Sequence, residues 1–139
     1  MIGPLLRMNS PFLSDVALLG LRLALGLSIL FGHGLVKLQN FSERGALFAD
    51  PFGFGPQTSM GLAIFAEVFC SILLVLGAVT RLSVIPLIVT MATAFFFVHS
   101  ADDWKTKELA FVYLLSFSAI FLLGPGRFSV DGLLLKSKN

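Results

Sequence analysis

Charge is scarce in this chain. Only 13% of its 139 residues are Asp, Glu, Lys or Arg, against about 25% in an ordinary soluble domain. The formal balance is +2 and no basic run interrupts the sequence, which excludes a nucleic-acid partner read through phosphate contacts. Cysteine is represented by Cys70 alone, so an internal disulfide and a Cys-x-x-Cys redox pair are both excluded. Mid-way along an apolar segment, Cys70 reads as a small buried hydrophobe. No nucleotide or flavin fingerprint is present. The nearest glycine cluster, Phe52-Gly53-Phe54-Gly55-Pro56, follows a turn-rich loop and opens no strand–helix unit. No internal repeat is visible, and no small-x-small cleavage site follows the first apolar stretch, so that stretch is expected to be a retained span.

Apolar residues are abundant instead, at 56% with a mean hydropathy of +0.91. Such a composition belongs to the membrane class. The spans are expected at about 15–37, 60–79, 82–99 and 108–124 of one domain covering 1–139. Each is long enough, or nearly so, to cross a hydrocarbon core of about 30 Å. The fold class is therefore all-α, an integral membrane four-helix bundle, with a short amphipathic start before it. Pro86 lies one turn into the third span, where its missing donor costs least. The second and third spans are expected to turn at Thr80-Arg81, and Trp104 falls at interfacial height between the third and fourth. Residues 38–59 form an interfacial loop whose Phe41, Phe48, Phe52 and Phe54 are too apolar to sit free in water. They lie in the interface or fold back over the mouth of the bundle.

With four spans both termini share a side. That side has Arg7, Arg81, Arg127, Lys136 and Lys138, against Lys37, Arg44, Lys105 and Lys107 on the other. Under the positive-inside rule this margin points to cytoplasmic termini.

Ionisable residues inside such spans are costly and mark functional sites by default. Arg22, His33 and Lys37 fall on one helical stripe: eleven steps of about 100° return almost to the starting face, and four more make about one turn. Estimated depth brings His33, Lys37, Glu67, His99 and Glu108 toward the outer end of the bundle, with Arg22 deeper. Three chemistries fit. His and Glu beside a cation suit a quinone headgroup, which needs a donor at each carbonyl and a proton route. His33 and His99 on different helices are the candidate axial ligands of a haem. A metal site is the weakest of the three, since the ligand spacing is loose, and no metal ligand is assigned. A purely structural reading pairs Arg22 or Glu67 within the bundle, solvates His99 and Glu108, and uses Gly26, Gly32 and Gly34 for close helix approach.

In order and spacing, LRLALGLSILFGHGLVKL (Arg22, Gly26, His33, Gly34, Lys37), FAEVFCSILLVLGAVTRLSVIPLIVTM (Glu67, Gly77, Thr80, Arg81, Met91), His99, Glu108 and the post-helix Gly124-x-Gly126-x-x-Ser129-x-Asp131 resemble the DoxX family of small bacterial membrane proteins. The resemblance covers roughly residues 15–133 and implies four membrane helices in the bacterial inner membrane. Through the family's similarity to the DoxD subunit of an archaeal thiosulfate:quinone oxidoreductase, and its association with thiol and oxidative-stress systems, it implies redox chemistry at a quinone with electrons supplied by a partner. The expectation is a quinone-interacting or redox-complex membrane subunit, a possible oxidoreductase component. His33 and Glu67 form its acid/base pair, Arg22, Lys37, His99 and Glu108 bind or tune the cofactor, and Phe52 and Phe54 cover the mouth. The runner-up is a non-catalytic scaffold or assembly subunit docking a protein partner or a second copy. A haem protein and a small-molecule carrier rank below it, the carrier because four short helices leave little room for alternating access.

Overall fold

The computed structural model describes residues 10–137. Arg7, Lys138 and most of the expected amphipathic start lie outside the described residues. Within them the chain is helical throughout its ordered elements: α1 Pro11–Gln39, α2 Phe41–Arg44, α3 Pro56–Leu76, α4 Thr80–Val98, α5 Trp104–Leu123 and α6 Val130–Lys136. Four of these (α1, α3, α4 and α5) are long and apolar enough to cross a membrane. The chain is an all-α, four-helix membrane bundle.

The helix ends follow local chemistry. Pro11 and Pro56 occupy the first turns of α1 and α3, where a missing N–H removes no helical bond. Asp103 caps α5 by accepting the Thr106 N–H, and Ser129 caps α6 by accepting that of Gly132. Gly77, at φ +68°, stops α3 in the left-handed region that favours glycine. The turn between α3 and α4 is consequently Gly77-Ala78-Val79, and Thr80-Arg81, expected as the turn, already belong to α4. α1 runs from Pro11, earlier than expected, and α5 begins at Trp104, which places Glu108 about one turn inside that helix.

The long helices alternate in direction. One end of the bundle carries the α3–α4 turn and residues 124–137, and is here called the turn end. The other carries residues 40–55 and 99–103, and is called the loop end. A continuous core runs from the middle toward the turn end through Ile29, Cys70, Leu74, Val84, Leu87, Phe117 and Ile120. The expectation for Cys70 holds: its thiol is buried there. Lipid is as apolar as these side chains, so close packing rather than expulsion from water holds the helices together. Gly26 permits it at Val75 and the Ser71 carbonyl, and Gly34 at the backbone of Glu67. Gly32 does not serve this purpose, because nothing lies within 4 Å of the position its Cβ would take.

α1, α3 and α4 each contain a π-bulge, over Leu30–Gly34, Phe65–Cys70 and Ala94–Val98. Such bulges insert a residue into the helical ladder and are frequent at functional sites. Ser71 Oγ donates to the carbonyls of Glu67 and Val68, which satisfies groups left over by the α3 bulge.

Candidate functional site: a cavity at the loop end

His33 lies within the α1 bulge and Glu67 within the α3 bulge, and His99 directly follows the α4 bulge. The missing side chain of Gly34 brings the first two together, since a Cβ there would stand only 2.5 Å from the Glu67 carbonyl oxygen. Glu67 is 2% exposed, and its Oε2 accepts from Lys37 Nζ at 2.6 Å. A charged carboxylate at this depth requires such a partner. His33 stands edge-on to Tyr113, with ring centroids 6.1 Å apart, and Tyr113 in turn stacks on Phe117 of the core.

These groups line a cavity of about 400 Å³, a size typical of small-molecule sites (~300–1,000 Å³). His33 and Lys37 come from α1, Glu67 and Ala63 from α3, Thr90 and Met91 from α4, and Tyr113 and Ala110 from α5. Most of the wall is apolar, with its ionisable groups on α1 and α3 and His99 toward the end of α4.

The loop after α2 folds over this end. Phe48, Phe52 and Phe54 line the cavity, and Phe52 packs against Phe97 of α4 at 5.2 Å between ring centroids. One carboxylate organises the loop. Asp50 Oδ1 accepts from the Phe54 N–H and the Ser59 hydroxyl, and Oδ2 from the Gly55 N–H. The Ser59 hydroxyl above all, aided by those backbone donors, holds the Asp50 carboxyl below its ordinary range.

Of the residues singled out from the sequence, His33, Lys37, Glu67, His99, Phe52 and Phe54 line the cavity. His99 is half-buried, and its Nδ1 pairs with Asp102 Oδ2 at 2.6 Å. Glu108 is exposed on α5 and is not part of the wall. Arg22 lies at the opposite end. It is 1% exposed, its Nη2 donates to the Phe128 carbonyl, and Asp131 supplies the neighbouring negative charge. The pairing of Arg22 with Glu67 is therefore replaced by one with the chain beyond α5. The stripe does not hold in depth, because eleven residues separate Arg22 from His33 by about 16 Å along a helix. Tyr113, Thr90 and Ser59 belong to the cavity and were not legible as such: each is a single polar residue in an apolar or turn-forming context, and only the packing of four helices brings them to one wall.

The chain matches the family model DoxX over residues 17–100. That match includes the cavity residues of α1, the covering loop, α3 and α4, and leaves out α5 and the Gly124–Asp131 motif. The chain is also 29% identical to an uncharacterized protein of Haemophilus influenzae over 131 residues, 88% of this chain and 86% of that one. No solved structure matches. With more than half of its length inside the family model, the chain belongs to the DoxX family.

Proposed function

We propose that this chain is the quinone-interacting membrane subunit of a redox complex in the bacterial inner membrane, with its termini in the cytoplasm. The observation that carries the reading is the pair of half-buried Lys37 with buried Glu67, beside His33 on the wall of a largely apolar cavity roofed by phenylalanines. A quinone headgroup is flat and apolar with a carbonyl acceptor at each end. The apolar wall suits the ring, while His33 and Lys37 are donors within the cavity for a carbonyl oxygen. Full reduction of a quinone takes two electrons and two protons. Glu67 and His33 hold and hand on protons at the cavity wall, and an electron-donating protein partner supplies the electrons. His99 and Phe52 and Phe54 close the site toward the loop end. Arg22 and Glu108 stand outside this reading.

Equilibrium titration of the purified protein with a soluble benzoquinone or naphthoquinone analogue tests it. His33→Ala and Glu67→Gln are each expected to weaken binding about tenfold or more, the size of a lost charge-assisted hydrogen bond. Unchanged affinity in both variants, with melting temperatures intact, sinks the reading. An optical spectrum of the gently purified protein runs beside it. A Soret band would assign His33 and His99 as axial haem ligands instead.

A second reading has one observation in its favour. Lys37 and Glu67 neutralise each other directly, as expected if the pair only locks α1 to α3 in a scaffold subunit. That reading has Glu67→Gln lowering the melting temperature while no quinone analogue binds the wild type.

A further inference from the structure

We propose that the cavity is entered from the hydrocarbon layer, through a gap between the loop-end halves of α3 and α4, and that its ligand is an amphiphile whose tail lies in that gap. This deepens the quinone reading and rests on the cavity being a ligand site. The helices are not evenly packed. α4 lies against α5 along its length and against the second half of α3, from the Phe65–Cys70 bulge onward, but the first turns of α3, Pro56–Ile64, stand off from it. Two residues mark the resulting margin. Leu62 on α3 is 54% exposed and Val89 on α4 is 56% exposed, yet both also line the cavity. A side chain that faces the cavity and the outside at once lies on a rim.

The depth of that rim decides what can pass it. Val89 is at the middle of the span Thr80–Val98, about 14 Å of helix rise from its loop end, so the opening faces acyl chains and not water. The route from the loop end is obstructed by the phenylalanines that Asp50 holds in place, with Phe52 seated on Phe97. Beyond the rim the wall runs past Thr90 and Ala63 to Glu67. A ligand arriving this way places its polar head at Lys37 and Glu67 and leaves its tail among lipids. The cavity has a second exposed margin at Thr106 and Leu109 in the first turns of α5, which provides an internal control.

The experiment compares two probes, a tail-less benzoquinone and its decyl-tailed analogue, on wild type, Val89→Trp, Leu62→Phe and Leu109→Trp. A gap that holds even two methylenes contributes about tenfold in affinity. Val89→Trp and Leu62→Phe are expected to lose about that factor for the decyl probe only, and Leu109→Trp, which also lines the cavity, to change the two probes by the same factor. Equal losses for both probes in Val89→Trp and Leu62→Phe, or a decyl-only loss confined to Leu109→Trp, overturn the proposal. If wild type binds neither probe, the quinone reading falls, and the portal is decided separately by thiol labelling in membranes. In a Cys70→Ala background, Thr93→Cys, on the cavity wall, is expected to react with membrane-partitioning N-ethylmaleimide and not with a sulfonated maleimide. Adding Val89→Trp is expected to abolish that reaction. Labelling by the charged reagent, labelling that Val89→Trp does not slow, or no labelling by either reagent overturns the portal.

Discussion

The two ends of this bundle each bury an ionisable side chain among apolar helices, and they use it differently. At the turn end the space around Arg22 is filled, and the shallow surface groove beyond it, lined by Val79, Arg81 and Asp131, does not reach Arg22. Arg22 fills the position that a side chain on Gly77 would take, with its guanidinium where that Cβ would stand, and it donates to the Phe128 backbone. Asp131 accepts the N–H groups of Val79 and Thr80, and its own N–H returns to the Gly77 carbonyl. That carboxylate holds Val79 at φ +43°, a conformation β-branched residues rarely adopt. Arg127 N–H donates to Asp15, tying the segment after α5 to the start of α1. At the loop end the charged groups pair side chain to side chain, and they face about 400 Å³ of open volume. A buried charge bound to backbone in a filled space is structural. A buried charge on the wall of a cavity can meet a ligand. Free volume directly beside the buried charge, rather than residue type, separates the two duties.

The contrast can be broken from either side. Gly77→Ala carries the largest expected effect, because it strains a left-handed position and drives a Cβ into the Arg22 guanidinium. A loss of about 3 kcal/mol or more is expected, read as a large fall in detergent melting temperature. Survival of the wild-type melting temperature would show that Arg22 is not packed there. Asp131→Asn comes next. Asparagine has one oxygen for the two N–H groups that the carboxylate accepts, and the charge facing Arg22 is lost, so about 2 kcal/mol is expected. Both variants are expected to leave quinone-analogue affinity unchanged in the protein that remains folded.

Gly34→Ala sharpens the comparison from the other end. Its Cβ would press on the Glu67 carbonyl at 2.5 Å and push α1 from α3 where His33, Lys37 and Glu67 meet. About 1–2 kcal/mol of stability is expected to be lost, with a proportionally larger loss of ligand affinity. An effect on stability alone would place the ligand elsewhere. The smallest effect concerns pH. The Asp50 carboxyl titrates below its unfolded value because Ser59 and the loop N–H groups bind its charged form. Its contribution to holding the loop is therefore complete above the ordinary carboxylate pKa of about 3.9 and disappears as pH falls through the lower, folded value. Amide exchange at Phe54 and Gly55 is expected to quicken over that acidic window and to be fast at neutral pH in Asp50→Ala. Equal exchange in wild type and variant would remove Asp50 from the latch.

Local chemistry explains which features were readable in advance. The four spans, buried Cys70, and the apolar loop over the bundle mouth follow from hydropathy and turn residues, signals that each segment carries by itself. Span ends were misplaced by a few residues where a single conformation decides them, as at Gly77, which ends α3 before the Gly-Ala-Val turn. Gly26 and Gly34 were readable as contact points, but Gly32 looks the same in sequence and faces open space. The π-bulges were not readable at all. Each inserts a residue and turns the helix beyond it by about 100°, so a regular helical wheel drawn through Leu30–Gly34 does not give the facing of the residues beyond the bulge.

Composition and hydropathy alone determined that this chain is a four-helix membrane protein and that Glu67, His33, Lys37 and Arg22 lie within or at the ends of its spans, because burial of apolar helices in lipid depends on sums over many residues. The resemblance to the DoxX family was carried by the order and spacing of particular residues, the Gly124–Asp131 motif among them. Only the tertiary structure decided which charges meet. Arg22 lies against Phe128 and near Asp131, more than a hundred residues along the chain, and Lys37 meets Glu67 thirty residues away. Those pairings depend on a few close approaches at Gly34 and Gly77, where one missing methyl group sets whether two backbones, or a backbone and a guanidinium, can touch.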